Sequence, residues 1–194
     1  MRLSLILCCY LVFLTGCAQV SLNNVLNSRD QQQSMTDSDK REYIKALEGI
    51  KKKRLKKAQV ILNRLLKKYP DASGVLANKG LIYAKKAKLD KAETFLEKAL
   101  QINDKLVQAR NHLAVVYRKQ GKFSEAGQML QAAIVTNPYY ANAYYNLGIL
   151  NELYLDEPAI ALENYRLYLD LKKGGDKRVS QWVSLLQRQL KSRK

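Results

Sequence analysis

The chain repeats itself at an interval of 34 residues: Ala58, Ala92 and Ala126 are separated by it, as are Leu62, Leu96 and Leu130, and Pro70, Asp104 and Pro138. Ala46, Gly80, Ala114 and Gly148 carry the same period into a fourth unit, and Tyr83 and Tyr117 obey it as well. A fixed period of this size restricts the fold to a stacked array, because each unit is one supersecondary element that cannot bury its apolar face without a neighbour. Within a unit, apolar residues recur every three or four positions in two runs separated by a short turn, which predicts a pair of helices. Small residues at Gly80, Ala92 and Ala99, and at Ala114, Ala126 and Ala133, let those helices approach closely. The Pro or Asp that ends a unit stops its second helix before the next unit begins.

The stretch GLIYAKKAKLDKAETFLEKALQIND, from Gly80 to Asp104, resembles the tetratricopeptide repeat in its small–aromatic–Ala–Ala–Pro skeleton. The resemblance implies an all-α fold, a helix-turn-helix solenoid of about four repeats over 39–72, 73–106, 107–140 and 141–175, in which Tyr83 and Tyr117 fill the space between units. Two departures stand out. Gly49 takes the place held later by Tyr83 and Tyr117, and Ala161 lies 35 residues beyond Ala126, with Pro158 in the lengthened turn. Beyond Gly174 and Gly175, which suit a helix end, Asp176 can cap a last helix. Val179, Trp182, Val183, Leu186 and Leu190 form one apolar stripe there, so 176–194 is expected to be a capping helix with a basic tail.

The first residues read as a targeting segment. Arg2 supplies a positive start, and LSLILCCYLVFL is an apolar run of the length of a signal-peptide core and short for a membrane span. Leu14-Thr15-Gly16-Cys17 resembles the lipobox of bacterial lipoproteins. That resemblance implies a signal peptide over 1–16, acylation of Cys17 as the mature N-terminus, and a polar tether over the remainder of 17–38. Ala18 rather than Asp after the cysteine implies export to the outer membrane, facing the periplasm. All three cysteines, at 8, 9 and 17, precede the repeats, so no disulfide framework and no cysteine metal site is available to the folded part.

Thirty-four basic residues against 17 acidic ones give a net charge of +17. Such an excess points to nucleic acid, an anionic membrane surface or an acidic protein. Export argues against nucleic acid, and aromatic residues are not interleaved with the basic cluster. The densest basic run is Lys51, Lys52, Lys53, Arg54, Lys56 and Lys57, within a first repeat holding 12 basic and 4 acidic residues. Contact with anionic headgroups is one reading of this run, a solvated turn the other.

Tetratricopeptide geometry implies a concave face built from the first helix of each unit. Its fifth positions are Tyr43, Ala77, Asn111 and Tyr145, and its ninth are Leu47, Leu81, Val115 and Ile149. Lys51, Lys85 and Lys119 take the thirteenth position. An apolar floor with a basic rail suits a protein or peptide segment carrying acidic residues. Seven tyrosines fall within 139–168; Tyr144, Tyr165 and Tyr168 are expected in the core, while Tyr139, Tyr140, Tyr145 and Tyr154 suggest a docking patch. His112, the one histidine, is expected on a helix surface, with no second metal ligand or nucleophile at a helical spacing from it. No catalytic constellation, metal site or cofactor is expected. Nothing in the repeat fixes an oligomeric state. The whole reads as a lipid-anchored, periplasm-facing scaffold for assembly of an envelope complex, similar in build to pilotins and to companions of TonB transport systems. The contrasting reading is a protein that binds the envelope surface directly.

Overall fold

The apolar spacing of the second run in each unit is that of a helix with a single buried stripe: Ala58, Leu62 and Leu65; Ala92, Leu96 and Ala99; Ala126, Leu130 and Ala133 are all buried. The first runs bury more of their circumference, as in Ser73, Val75, Leu76, Ala77, Gly80, Ile82 and Ala84. A helix apolar on one stripe belongs at a surface, and one buried on two sides belongs between neighbours. That difference sets the architecture. The computed structural model describes residues 35–192. Among the described residues the chain is all-helical: α1 Asp37–Lys51, α2 Leu55–Lys68, α3 Ser73–Lys85, α4 Leu89–Ile102, α5 Val107–Lys119, α6 Phe123–Thr136, α7 Ala141–Leu153, α8 Pro158–Leu171 and α9 Lys177–Ser192.

Consecutive helices pack against each other through short connections, so each lies antiparallel to its predecessor. The first helices of successive repeats also touch, α1 with α3, α3 with α5 and α5 with α7, whereas the second helices make no comparable contact among themselves. The stack therefore closes on the side of the first helices and splays on the other, giving a concave and a convex face. Its core consists of four apolar clusters arranged along the array. Tyr117 packs against both the second and the third cluster, as a residue between units should. Tyr83 stacks on Phe95 with ring centroids 5.4 Å apart, within the second.

Every turn inside a repeat uses a left-handed residue. Lys53 (φ 58°), Ala87 (φ 55°) and Gly121 (φ 79°) occupy the middle of three-residue turns, 34 residues apart, and Asp156 (φ 52°) takes the role in the fourth, longer turn. Only one of the four is glycine, the residue that adopts this conformation without steric cost. Pro158 is the first residue of α8 rather than a member of the turn, a place where its missing N–H leaves no helical bond unmade. The extra residue is absorbed before it, and Ala161 and Tyr165 are both fully buried.

Two points of the sequence reading need amendment, the start of the folded body and Tyr144. Residues 35–38, read as the last of the tether, belong to the folded body. Met35 is buried in the first cluster, and Thr36 caps α1, its hydroxyl oxygen accepting from the Asp39 N–H at 3.2 Å. Tyr144 is half-buried rather than enclosed, unlike Tyr165 and Tyr168. At the other end α9 forms as expected. The Asp176 carboxylate accepts from the Val179 N–H at 3.3 Å and from the Tyr168 hydroxyl at 2.9 Å. These bonds, the tyrosine's first, hold its pKa below the usual carboxylate range. Val179, Val183 and Leu186 close the fourth cluster.

Candidate functional site

The concave face is made by α1, α3, α5 and α7. Its ninth positions, Leu47, Leu81, Val115 and Ile149, are all half-buried. Leu47 and Leu81 rest on the first core cluster and Ile149 on the fourth, so each keeps a supported base and an accessible flank. Lys51, Lys85 and Lys119 end α1, α3 and α5 and are exposed. They form a rim along one edge of the face and do not lie across its floor.

The fifth positions do something else. Tyr43, Ala77 and Asn111 are buried, with 3%, 3% and 4% of their surface exposed, and are not open to a ligand. Asn78 donates to the Tyr43 hydroxyl at 2.7 Å, and Asn146 donates to the Asn111 amide oxygen at 2.8 Å. Each bond joins the first helix of one repeat to that of the next. Burial raises the Tyr43 phenol's pKa, an effect that the Asn78 hydrogen bond opposes. Tyr145 is half-buried with its ring 5.1 Å from Tyr168 and 6.2 Å from Tyr165, so it supports the fourth cluster. Of the ten groove residues expected, three are buried, Tyr43, Ala77 and Asn111, and seven keep accessible surface: the four of the floor, Tyr145, Lys85 and Lys119.

Sequence reasoning missed the partners of this ladder. Asn78 and Asn146 are two periods apart, and His112 stands midway at the same position. His112 is half-buried rather than on a free helix surface; burial, and then the charge of Lys85, lower its pKa to about 4. It is neutral across the physiological range. The tyrosines expected to form a docking patch sit in different surroundings. Tyr139 is exposed (81%), Tyr140 is half-buried beside the third cluster, and Tyr154 lies 5.0 Å from Phe123 with the Arg118 guanidinium 5.3 Å from its ring. Lys51, Lys52, Lys53, Arg54, Lys56 and Lys57 are all exposed around the first turn, and among the described residues only Lys52 has an ion-pair partner, Glu48 at 3.8 Å. No group of three metal-ligating side chains occurs among the described residues. Cys17 lies outside them.

Three repeat models match the chain: one described as a tetratricopeptide repeat over 32–72, a second over 73–106 and a TPR repeat over 116–153. Together they span more than half of its length, and the second coincides with α3 and α4 and their following turn. The chain belongs to the tetratricopeptide repeat family. No curated protein matches it. Among solved structures, pilF of Pseudomonas aeruginosa is similar at TM-score 0.72 and 20% identity, covering 80% of this chain and 70% of that one. TTC0263, a thermophilic TPR protein of Thermus thermophilus, is similar at TM-score 0.69 and 17% identity, over 78% and 82%. The first TPR of Spaghetti (RPAP3), solved with the HSP90 peptide SRMEEVD, matches at TM-score 0.56 and 23% identity, over 61% and 92%. At these identities the likeness is one of fold. Tetratricopeptide arrays are protein–protein interaction scaffolds and are generally without catalytic activity, and this chain has that architecture.

Proposed function

We propose that the protein is a lipid-anchored adaptor on the periplasmic side of a bacterial outer membrane, holding an apolar and acidic segment of a partner in its concave face during assembly of an envelope complex. The observation that carries the groove is the row of four half-buried apolar residues, Leu47, Leu81, Val115 and Ile149, beside the exposed Lys85 and Lys119. A structural relative was solved with a peptide, SRMEEVD, that combines apolar and acidic residues, which supports a ligand of this kind. The anchor is supported by the order of Arg2, the apolar run and Leu14-Thr15-Gly16-Cys17.

Full burial of an exposed apolar side chain contributes about 1.5–3 kcal/mol, so completing the burial of four half-buried ones contributes about half of that each, whereas an exposed ion pair contributes under about 1 kcal/mol. The floor should therefore dominate affinity and the rim should act on encounter. A photo-crosslinking residue placed at Leu81 in the intact envelope tests this. The same residue at Val60, which is 68% exposed on the second helix of repeat one, is its control. A discrete protein adduct at position 81, lost when Val115→Ala and Ile149→Ala are added, is the expected result. Identical adducts at 81 and 60, or none at 81, would end the groove reading.

A further inference from the structure

The three-residue turns inside repeats one to three all lie along one edge of the array, because each joins a first helix to its antiparallel second helix. Those turns are basic in series. The first carries Lys53 and Arg54 and the second Lys88, and Lys51, Lys85 and Lys119 end the helices that lead into the three turns; all six are exposed and, among the described residues, without an ion-pair partner. Lys122, also in the third turn, pairs with Glu93 at 2.7 Å. The fourth turn ends the series with Asp156 and Glu157. The opposite edge is mixed in sign, with Asp71, Asp104 and Asp176 beside Lys105, Lys172 and Lys173 in its turns.

We infer that the edge formed by the first three turns is a docking surface for an anionic lipid bilayer. The cations stand at turns that recur in register along one edge of the array, so an anionic surface along that edge meets them in series, whereas a segment in the concave face reaches only the rim lysines. A row of cations attracts an anionic membrane surface within a Debye length, each adding a small increment. The charge lies at the end of the array nearest the chain's start, and the acidic fourth turn lies at the far end. Docking through this edge leaves the concave floor facing away from the headgroups at one side, open to a partner. The inference requires no acyl group on Cys17.

The test uses the full chain with a photo-crosslinking residue at Ala87, the apex of the second turn, or at Tyr139, which is 81% exposed at the opposite edge. Each is mixed with vesicles of phosphatidylcholine alone or with phosphatidylglycerol, and lipid adducts are counted by mass spectrometry. The expected result is at least tenfold more adduct at 87 than at 139 in anionic vesicles at 0.1 M salt. The excess should vanish in neutral vesicles and at 1 M salt, where the Debye length falls to ~3 Å. Lys51→Gln, Lys53→Gln and Arg54→Gln together should lower the adduct at 87 by roughly a hundredfold with an unchanged helical spectrum, while Leu81→Ala with Val115→Ala should leave it unaltered. Equal adducts at the two sites, an excess indifferent to lipid charge, or an excess that survives neutralisation of the first turn would overturn the inference. Loss of groove capture alone would overturn only the adaptor reading.

Discussion

Gly148 and Gly127 invite the same substitution with opposite signs of effect. A Cβ on Gly148 would stand 2.5 Å from Cε1, 2.6 Å from Cδ1 and 3.0 Å from Cζ of Tyr165. Carbon atoms favour about 3.5–4.0 Å, so the ring must move by about 1 Å. It has little room to do so. Tyr165 is fully buried, its hydroxyl donates to Glu152 at 2.7 Å, and Trp182 stacks on it with centroids 5.4 Å apart. Overpacking of this kind costs about 1–3 kcal/mol, against about 1 kcal/mol returned because alanine is the better helix former. With Tyr165 held by burial, the Glu152 bond and Trp182, the upper part of that cost, about 2–3 kcal/mol, applies, and Gly148→Ala should destabilise by about 1–2 kcal/mol. On Gly127 the nearest atom would be Leu150 Cδ2 at 3.6 Å, an ordinary contact, and the residue lies inside α6. Gly127→Ala should stabilise by about 0.5–1 kcal/mol. Urea unfolding followed by helical circular dichroism reads both. With a slope of about 1–3 kcal/mol per molar, the midpoints of the two variants should separate by about 1 M in opposite directions from wild type. Tyr165→Leu added to Gly148→Ala should cost less than the two changes summed, since each relieves the other. A Gly148→Ala variant as stable as wild type, with the same slope, would refute the close approach of α7 and α8.

Four further outcomes rest on the turns, the lone histidine, the helix crossings and the lipobox. Ala87→Gly should raise stability by about 0.5–1 kcal/mol in thermal or urea melts, because a left-handed residue with a Cβ costs about 1–2 kcal/mol and glycine returns part of that through unfolded-state entropy. His112 is held at a pKa of about 4 by burial and Lys85 against an ordinary value of 6.5. The unfolded chain therefore binds more protons between those values, and stability should fall as pH drops from about 6.5 to about 4; His112→Gln should flatten this by about 1–3 kcal/mol in melts across that range. Ala92→Leu should destabilise by about 1–3 kcal/mol, since Ala92 is fully buried between helices, and an unchanged melt would contradict that packing. Cys17→Ser should abolish incorporation of labelled palmitate and leave an unprocessed precursor; a wild-type chain that takes up no palmitate would remove the anchor.

The fold was legible because its determinants are periodic. Ala58, Ala92 and Ala126 each bury completely at a helix crossing, and one spacing of 34 residues is enough to align them. The turns were less legible. Three of their four left-handed centres are Lys53, Ala87 and Asp156, and only Gly121 announces the conformation in its residue type. Pro158 misled for a related reason. A proline near a turn can end one element or begin the next, and only the register of Ala161 and Tyr165 against α7 decides that it opens α8. Met35 gave no periodic signal, because it enters the first cluster from outside the repeat.

The candidate site was half legible for a reason that lies in the neighbours. Family geometry assigns the fifth position of each first helix to the concave side. Whether the side chain is free there depends on the residue at the sixth position of the next unit. Asn78 is long enough to reach the Tyr43 hydroxyl and Asn146 to reach the Asn111 amide, so two of the fifth positions are occupied in joining repeats. Ala77 is too short to project past its neighbours and is buried with no polar group to offer. The ninth positions are hydrocarbon, enter no hydrogen bond between repeats, and stay half-buried, with Leu47 and Leu81 resting on the first cluster and Ile149 on the fourth. The lysines at the thirteenth positions escape because they end their helices, where the chain turns to the edge. That same termination is why a rail read as part of the groove becomes, in three dimensions, the rim shared by the groove and the basic edge. A partner segment and an anionic surface can then compete for Lys85 and Lys119, while Lys53 and Arg54 answer to the surface alone and Leu81 and Val115 to the segment alone.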